Sequence, residues 1–180
     1  MTFTPQRSIG GGLRRWRILH RVKQTHAAEL FGVTQSTISR WEAGLIEPEP
    51  EQRHAILEKI QARLSAPADR VLARLVAENP RGMHLICDLS HRLLAASPER
   101  MKEFSRDDLI GESLWPFATE EIRAVEKEIK QGEFSTGAAV TFETGRNDST
   151  VVSILPSTCQ WSWMTLSDGA AVRLVETIAR

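Results

Sequence analysis

The segment QTHAAELFGVTQSTISRWEAG, residues 24–44, constrains the fold of this chain more than any other stretch. Small or apolar residues fall at Ala27, Ala28, Phe31, Val33, Ile38 and Trp41, and Gly32 separates the two halves. Two short helices that cross at a steep angle need this set: a small residue at the crossing (Ala28), a glycine able to take positive φ at the turn, and Val33, Ile38 and Trp41 turned back into a core. The spacing predicts helices over 25–31 and 35–43, closed by Gly44. Gln35, Ser36, Ser39 and Arg40 are left on the outward face of the second helix, at a spacing suited to base edges in a major groove, and Thr34 at its start joins that candidate set.

The flanking sequence completes an all-helical domain over residues 1–64. A polar arm leads into Gly10, Gly11 and Gly12, read as a flexible stretch, and a helix is expected over 13–22. Pro48 and Pro50 stiffen the loop after Gly44, and Pro50 suits the first turn of a fourth helix carrying Ile56, Leu57, Ile60 and Leu64 on one face. A connector helix is expected over 65–80, starting near Ser65, Pro67 and Asp69, with the apolar stripe Val71, Leu72, Leu75 and Val76. That stripe fits a dimer seam and packing on its own domain equally well.

At residues 9–64 the chain resembles the phage-repressor and Cro family of helix-turn-helix domains, carrying glutamines at the starts of the second and third helices (Gln24 and Gln35) and an arginine in the first helix matched to a glutamate after the third (Arg17 and Glu42). The resemblance implies that Gln24 touches a phosphate and braces Gln35, that Gln35 contacts a base, and that Ser36 and Arg40 hold further base-reading positions. Arg17 with Glu42 would be a structural ion pair. Trp41 is bulkier than the family's usual aliphatic and Ala27 smaller than its usual leucine, two changes that compensate in volume. A helical bundle with no DNA role needs neither the turn glycine nor the polar outer face.

Charge is divided along the chain although its net value is zero. Residues 1–46 hold seven basic side chains against two acidic ones, and the remainder sixteen against twenty-one. A basic module on an acidic remainder suits a polyanion at one end, and a solvated basic face gives the same count. The composition, 41% hydrophobic and 26% charged, is that of a soluble protein, with no bilayer-length apolar run and no secretory h-region, so a cytoplasmic location away from the membrane is expected. Cys87 and Cys159 form no CxxC and read as buried thiols rather than metal ligands.

From Gly82 onward the texture is that of an α+β domain. Strands are expected over 83–87, 92–96, 138–143, 150–155 and 161–166, with 170–174 continuing or adding to the last, and helices over 98–103 and 119–131. Two strands, then helices, then further strands give one antiparallel sheet. The run from Leu85 to Asp88, then Arg92 to Pro98, then Asp107 to Leu114 with its Leu-Ile-Gly (Leu109, Ile110, Gly111) resembles the opening of a PAS domain, covering about residues 82–176. Such a domain, taken here as 81–180, binds a small molecule between sheet and helices or serves as a dimer or partner surface. The Asn-Cys-Arg-Phe motif of flavin-binding light sensors does not occur, and no histidine lies between Ser97 and Arg180 for haem, so no cofactor is expected. His84 and His91 read as surface or packing residues. Trp115, Phe117, Trp161 and Trp163 fit either an apolar pocket or plain core filling.

The expected architecture is an all-α helix-turn-helix domain followed by an α+β PAS-like domain: a homodimeric regulator of double-stranded operator DNA, with an unidentified small-molecule ligand in its second domain. Two rivals stand beside it. An enzyme would need a catalytic constellation, and no Ser/His/Asp, metal-ligand or phosphate-loop set occurs. An antitoxin or adaptor would share the DNA reader and differ in its protein partner.

Overall fold

The computed structural model describes residues 9–129 and 139–178, so the N-terminal arm, residues 130–131 of the expected long helix and Ala138 lie outside the described residues. The chain divides into two compact units, Met1–Gln61 and Ala62–Arg180.

The first unit is four helices, α1 Ile9–Leu19, α2 Gln24–Phe31, α3 Gln35–Glu42 and α4 Pro50–Ile60. Ile9 and Leu13, one turn apart, bury one face of α1, and Ile38, Trp41, Ile56 and Ile60 meet it in the core. Gly10 to Gly12 are helical rather than a flexible stretch. Position 10 needs glycine for packing rather than for flexibility: a Cβ there would lie 1.6 Å from the Trp41 carbonyl oxygen of α3. Gly32 ends α2 in the left-handed conformation (φ 64°, ψ 32°), its amide bonded to Ala28 and Glu29 carbonyls. Pro50 occupies the first turn of α4, which stops at Ile60, so Leu64 falls outside it.

The second unit opens with α5 Pro67–Ala77, followed by β1 Met83–Cys87, β2 Leu93–Ala96, α6 Pro98–Met101, 3₁₀ turns at Asp107–Leu109 and Trp115–Phe117, α7 Glu120–Ile129, β3 Ala139–Thr144, β4 Ser157–Thr165 and β5 Ala171–Ile178. The five strands form one antiparallel sheet in the order β2-β1-β5-β4-β3. Helix α5 belongs to this unit. Its Leu72, Ala73 and Val76, with Ala62 and Leu64, pack on Met83, Leu85, Cys87 and Val172, while Val71 and Leu75 stay exposed. Asp69, not Ser65, caps its start: one carboxylate oxygen accepts from the Ala66 amide and the other from the amide and hydroxyl of Ser167.

The opposite sheet face is ordered by register. Ile86, Arg173 and Trp163 stand in one row across β1, β5 and β4, and His84, Val175, Trp161 and Val140 in the next. Phe104, Leu109, Ile122, Val125 and Ile129 close over it. Residues 150–155 are not a strand. Val151, Val152 and Ile154 do bury apolar surface, but the backbone there is held by the Asn147 side chain, which donates to Val152 and accepts from Ile154, and by residues 103–105. The sheet edge belongs instead to β3, and β4 begins at Ser157, earlier than its apolar pattern suggested.

Candidate nucleic-acid interface

Helix α3 starts at Thr34, whose extended backbone (φ −82°, ψ 155°) and hydroxyl, accepting from the Thr37 amide at 3.2 Å, form an N-cap. The same hydroxyl lies 2.9 Å from those of Ser36 and Thr37. Ile38 and Trp41 face inward, 0% and 4% exposed, so the 3.6-residue period turns Gln35, Ser36, Ser39 and Arg40 outward, and all four are exposed.

A continuous polar chain fixes this outward face. Arg17 on α1 grips Glu42 at the end of α3 with both forks, Nε to Oε1 at 2.7 Å and Nη2 to Oε2 at 2.9 Å, while Nη1 donates to the Val22 carbonyl. Burial alone would raise the Glu42 carboxyl; the hydrogen bonds from Arg17 and Gln24 outweigh it and hold the group below its ordinary value. The bond to Glu42 in turn raises the Arg17 guanidinium. Gln24 Nε2 donates to Glu42 Oε2 at 2.9 Å, which leaves its amide oxygen facing out to accept from Gln35 Nε2 at 2.6 Å. The ion pair therefore orients Gln24, and Gln24 orients Gln35. Gln24, Gln35, Ser36, Ser39, Arg40, Arg17 and Glu42 all fall within this one surface and its support, with Thr34 acting as the helix cap.

The interior of the second unit holds residues that sequence reasoning missed. Arg173, 1% exposed, directs Nε and Nη2 to Asp88 Oδ1 (3.0 and 2.6 Å) and Nη1 to Glu126 Oε2 (2.6 Å). Trp163 Nε1 donates to the same Asp88 oxygen at 2.9 Å, and the guanidinium lies 4.2 Å from the Trp161 ring centre. His91, at φ 57°, sets Nε2 3.5 Å from Glu126 Oε1 and its ring 4.6 Å from that of Trp115. Burial pushes the Glu126 carboxyl up, but His91 and the Arg173 charge pull it further down, to about 2. Beside this cluster, Trp115, Phe117 and Trp161 line a cavity; Trp163 does not. Asp88 stood in the sequence at the end of the run from Leu85, just after the first strand, but its partners were not legible there. Among the described residues no group of three or more His, Cys, Asp or Glu is placed to hold a metal ion, and no helix is long and apolar enough to cross a membrane.

Residues 13–60 match the family model described as Helix-turn-helix. The chain thus joins a unit that matches a helix-turn-helix model to an α+β unit built on one five-stranded antiparallel sheet. Solved structures similar to it include the PAS domain of an HTR-like protein from Haloarcula marismortui, at 16% identity and a TM-score of 0.46, covering 71% of this chain and 98% of that one. Another is an RNA-binding Light-Oxygen-Voltage receptor, at 11% identity and a TM-score of 0.45, covering 95% of this chain, which spans 57% of that receptor's length. No curated protein matches the chain.

Proposed function

We propose that this protein is a sequence-specific, DNA-binding transcription regulator whose second unit dimerises the chain, senses a small molecule, or does both. The observation that carries the reading is the hydrogen bond from Gln35 to Gln24, itself held by the Arg17–Glu42 pair, beneath an exposed polar face on α3. An outward-facing glutamine held through Gln24, Glu42 and Arg17 supports a surface built to meet a ligand. In this reading residues 1–64 are the DNA reader and 81–180 the PAS-like domain, with the helix between them carried by the latter. One recognition helix spans few base pairs, so a two-fold pair reading half-sites about 34 Å apart accounts for useful affinity. Exposed Val71 and Leu75 on α5 are available to such a pairing.

Arg40 and Gln24 provide the test. Arg40 fits a bidentate contact to guanine, worth about 1–3 kcal/mol of discrimination, so Arg40→Ala should weaken operator binding roughly ten- to a hundredfold and leave salt-sensitive, non-specific binding much less affected. Gln24→Ala, losing a phosphate contact, should weaken all duplexes, with a further loss on the operator because Gln35 is no longer held. Sites selected from genomic DNA supply the operator, and fluorescence anisotropy on operator and scrambled duplexes at two salt concentrations reads the result. Equal losses on both duplexes for Arg40→Ala would mean that Arg40 holds the backbone and reads no base.

A further inference from the structure

Between the sheet and the helices that cover it, the second unit forms a partly open cavity of about 100 Å³. Its walls are largely apolar, with Ile86, Phe104, Phe117, Ile122 and Trp161 among them. Four of the side chains lining it nevertheless carry buried nitrogen atoms with no hydrogen-bond partner in the protein: His84 Nδ1, both ring nitrogens of His91, Arg100 Nε and Trp115 Nε1. Buried polar atoms are almost always paired, so four such side chains around one small cavity mark where a partner is received. Trp115 Nε1 and Arg100 Nε can only donate. Burial, with Arg100 nearby, holds His84 well below its ordinary value, leaving a neutral ring whose Nδ1 donates or accepts according to tautomer.

The charges at the cavity are already matched. Arg100 gives Nη1 to Glu103 at 2.5 Å and Nη2 to the Thr177 hydroxyl and the Gly82 carbonyl, and Arg173 is held by Asp88 and Glu126. An anion entering here would meet no unpaired cation and two nearby carboxylates, Glu103 and Glu126. Trp115 is fixed between the His91 ring and the Arg123 guanidinium, 4.9 Å from its centre, so its N–H is held in place before anything binds. An apolar cavity of about 150 Å³ takes up benzene, which limits the occupant here to a single small ring.

We propose that this cavity binds an uncharged, single-ring-sized molecule bearing a hydroxyl or carbonyl oxygen, with its apolar body against Ile86, Phe104 and Trp161 and its oxygen accepting from the unpaired N–H groups of the lining. The proposal deepens the sensing reading above and rests on it for its biological meaning, though not for its test.

The probes are phenol, toluene and benzoate, titrated into the full chain without DNA by calorimetry and by ligand-observed NMR. Phenol and toluene have nearly the same shape and differ in the oxygen. Phenol should bind saturably and at least about tenfold more tightly than toluene, with benzoate weakest. Absence of saturable phenol binding, equal affinity for phenol and toluene, or tightest binding of benzoate would each overturn the assignment. Trp115→Phe keeps the ring and removes the N–H, so phenol should lose about tenfold while toluene is unchanged; equal losses of both would show that Trp115 only packs. Should that variant fail to fold by circular dichroism, Ala118→Leu fills the cavity from its lining and should abolish phenol binding, and undiminished binding would overturn the site. DNA binding by the same samples is read separately, so a failed cavity and a failed DNA reader give different results.

Discussion

Arg17 and Arg173 each hold carboxylates with a full guanidinium, yet the first side chain is 16% exposed and the second 1%. Around Arg17 the polar chain runs outward, through Glu42 and Gln24 to Gln35 at the surface. Around Arg173 it closes on itself, between Asp88, Glu126 and Trp163, beneath helix α7. The same pairing chemistry therefore serves two ends. Where a little water still reaches the pair, its desolvation cost is smaller, and it adds orientation to a modest stability. Where water is excluded, the pair is balanced against a large desolvation cost, and its members depend on one another.

The largest effect should come from Arg173→Ala, which leaves Asp88 and Glu126 buried without their cation and should cost about 3–5 kcal/mol in urea unfolding. An unchanged midpoint would break the contrast outright. Acid should expose the same cluster. The Glu126 carboxyl lies near 2 in the folded state against 4.5 as its ordinary value, so its contribution is fully present above about 4.5 and is lost as pH falls from there toward 2. Glu126→Gln should flatten that part of the stability profile, measured by unfolding between pH 7 and 3. In the first unit, Glu42→Gln should cost less, about 1–3 kcal/mol, because Arg17 keeps a neutral partner and partial access to water. Its operator affinity should fall by more than the folded fraction explains, as Gln24 and Gln35 lose their fixed orientation. Affinity that merely tracks folding would show that the chain to the surface orients nothing. Smallest of all, Thr34→Ala should cost about 1 kcal/mol through the lost N-cap, and Thr34→Gly a few tenths, both readable as shifts in thermal midpoint.

The contrast also explains what the sequence revealed. Arg17 and Glu42 lie within the stretch that resembles the phage-repressor and Cro family, so their pairing could be anticipated from that resemblance. Arg173 is 85 residues from Asp88 and 47 from Glu126, and only the β1–β5 register and the placing of α7 bring them together. No local pattern encodes that meeting. The segment 150–155 failed as a strand for a related reason. Alternating apolar residues report that one side is buried, while Asn147 and the backbone of residues 103–105, rather than a neighbouring strand, take its hydrogen bonds. The connector stripe was ambiguous because Leu72 and Val76 face the sheet while Val71 and Leu75 remain outside, which is one stripe divided between two surroundings.

Gly10 sets a boundary on how a protein of this kind can diverge. Its missing side chain lets α1 rest on the last peptide of α3, with no room even for a methyl group. Polar residues on the outer face of α3 can be exchanged during descent, changing what is read while leaving the frame intact. Any side chain acquired at position 10 would instead displace the whole helix from behind, altering every contact at once. On the proposed reading, what α3 contacts can change at its outer face, while the position of the helix is fixed from its inner side by Gly10.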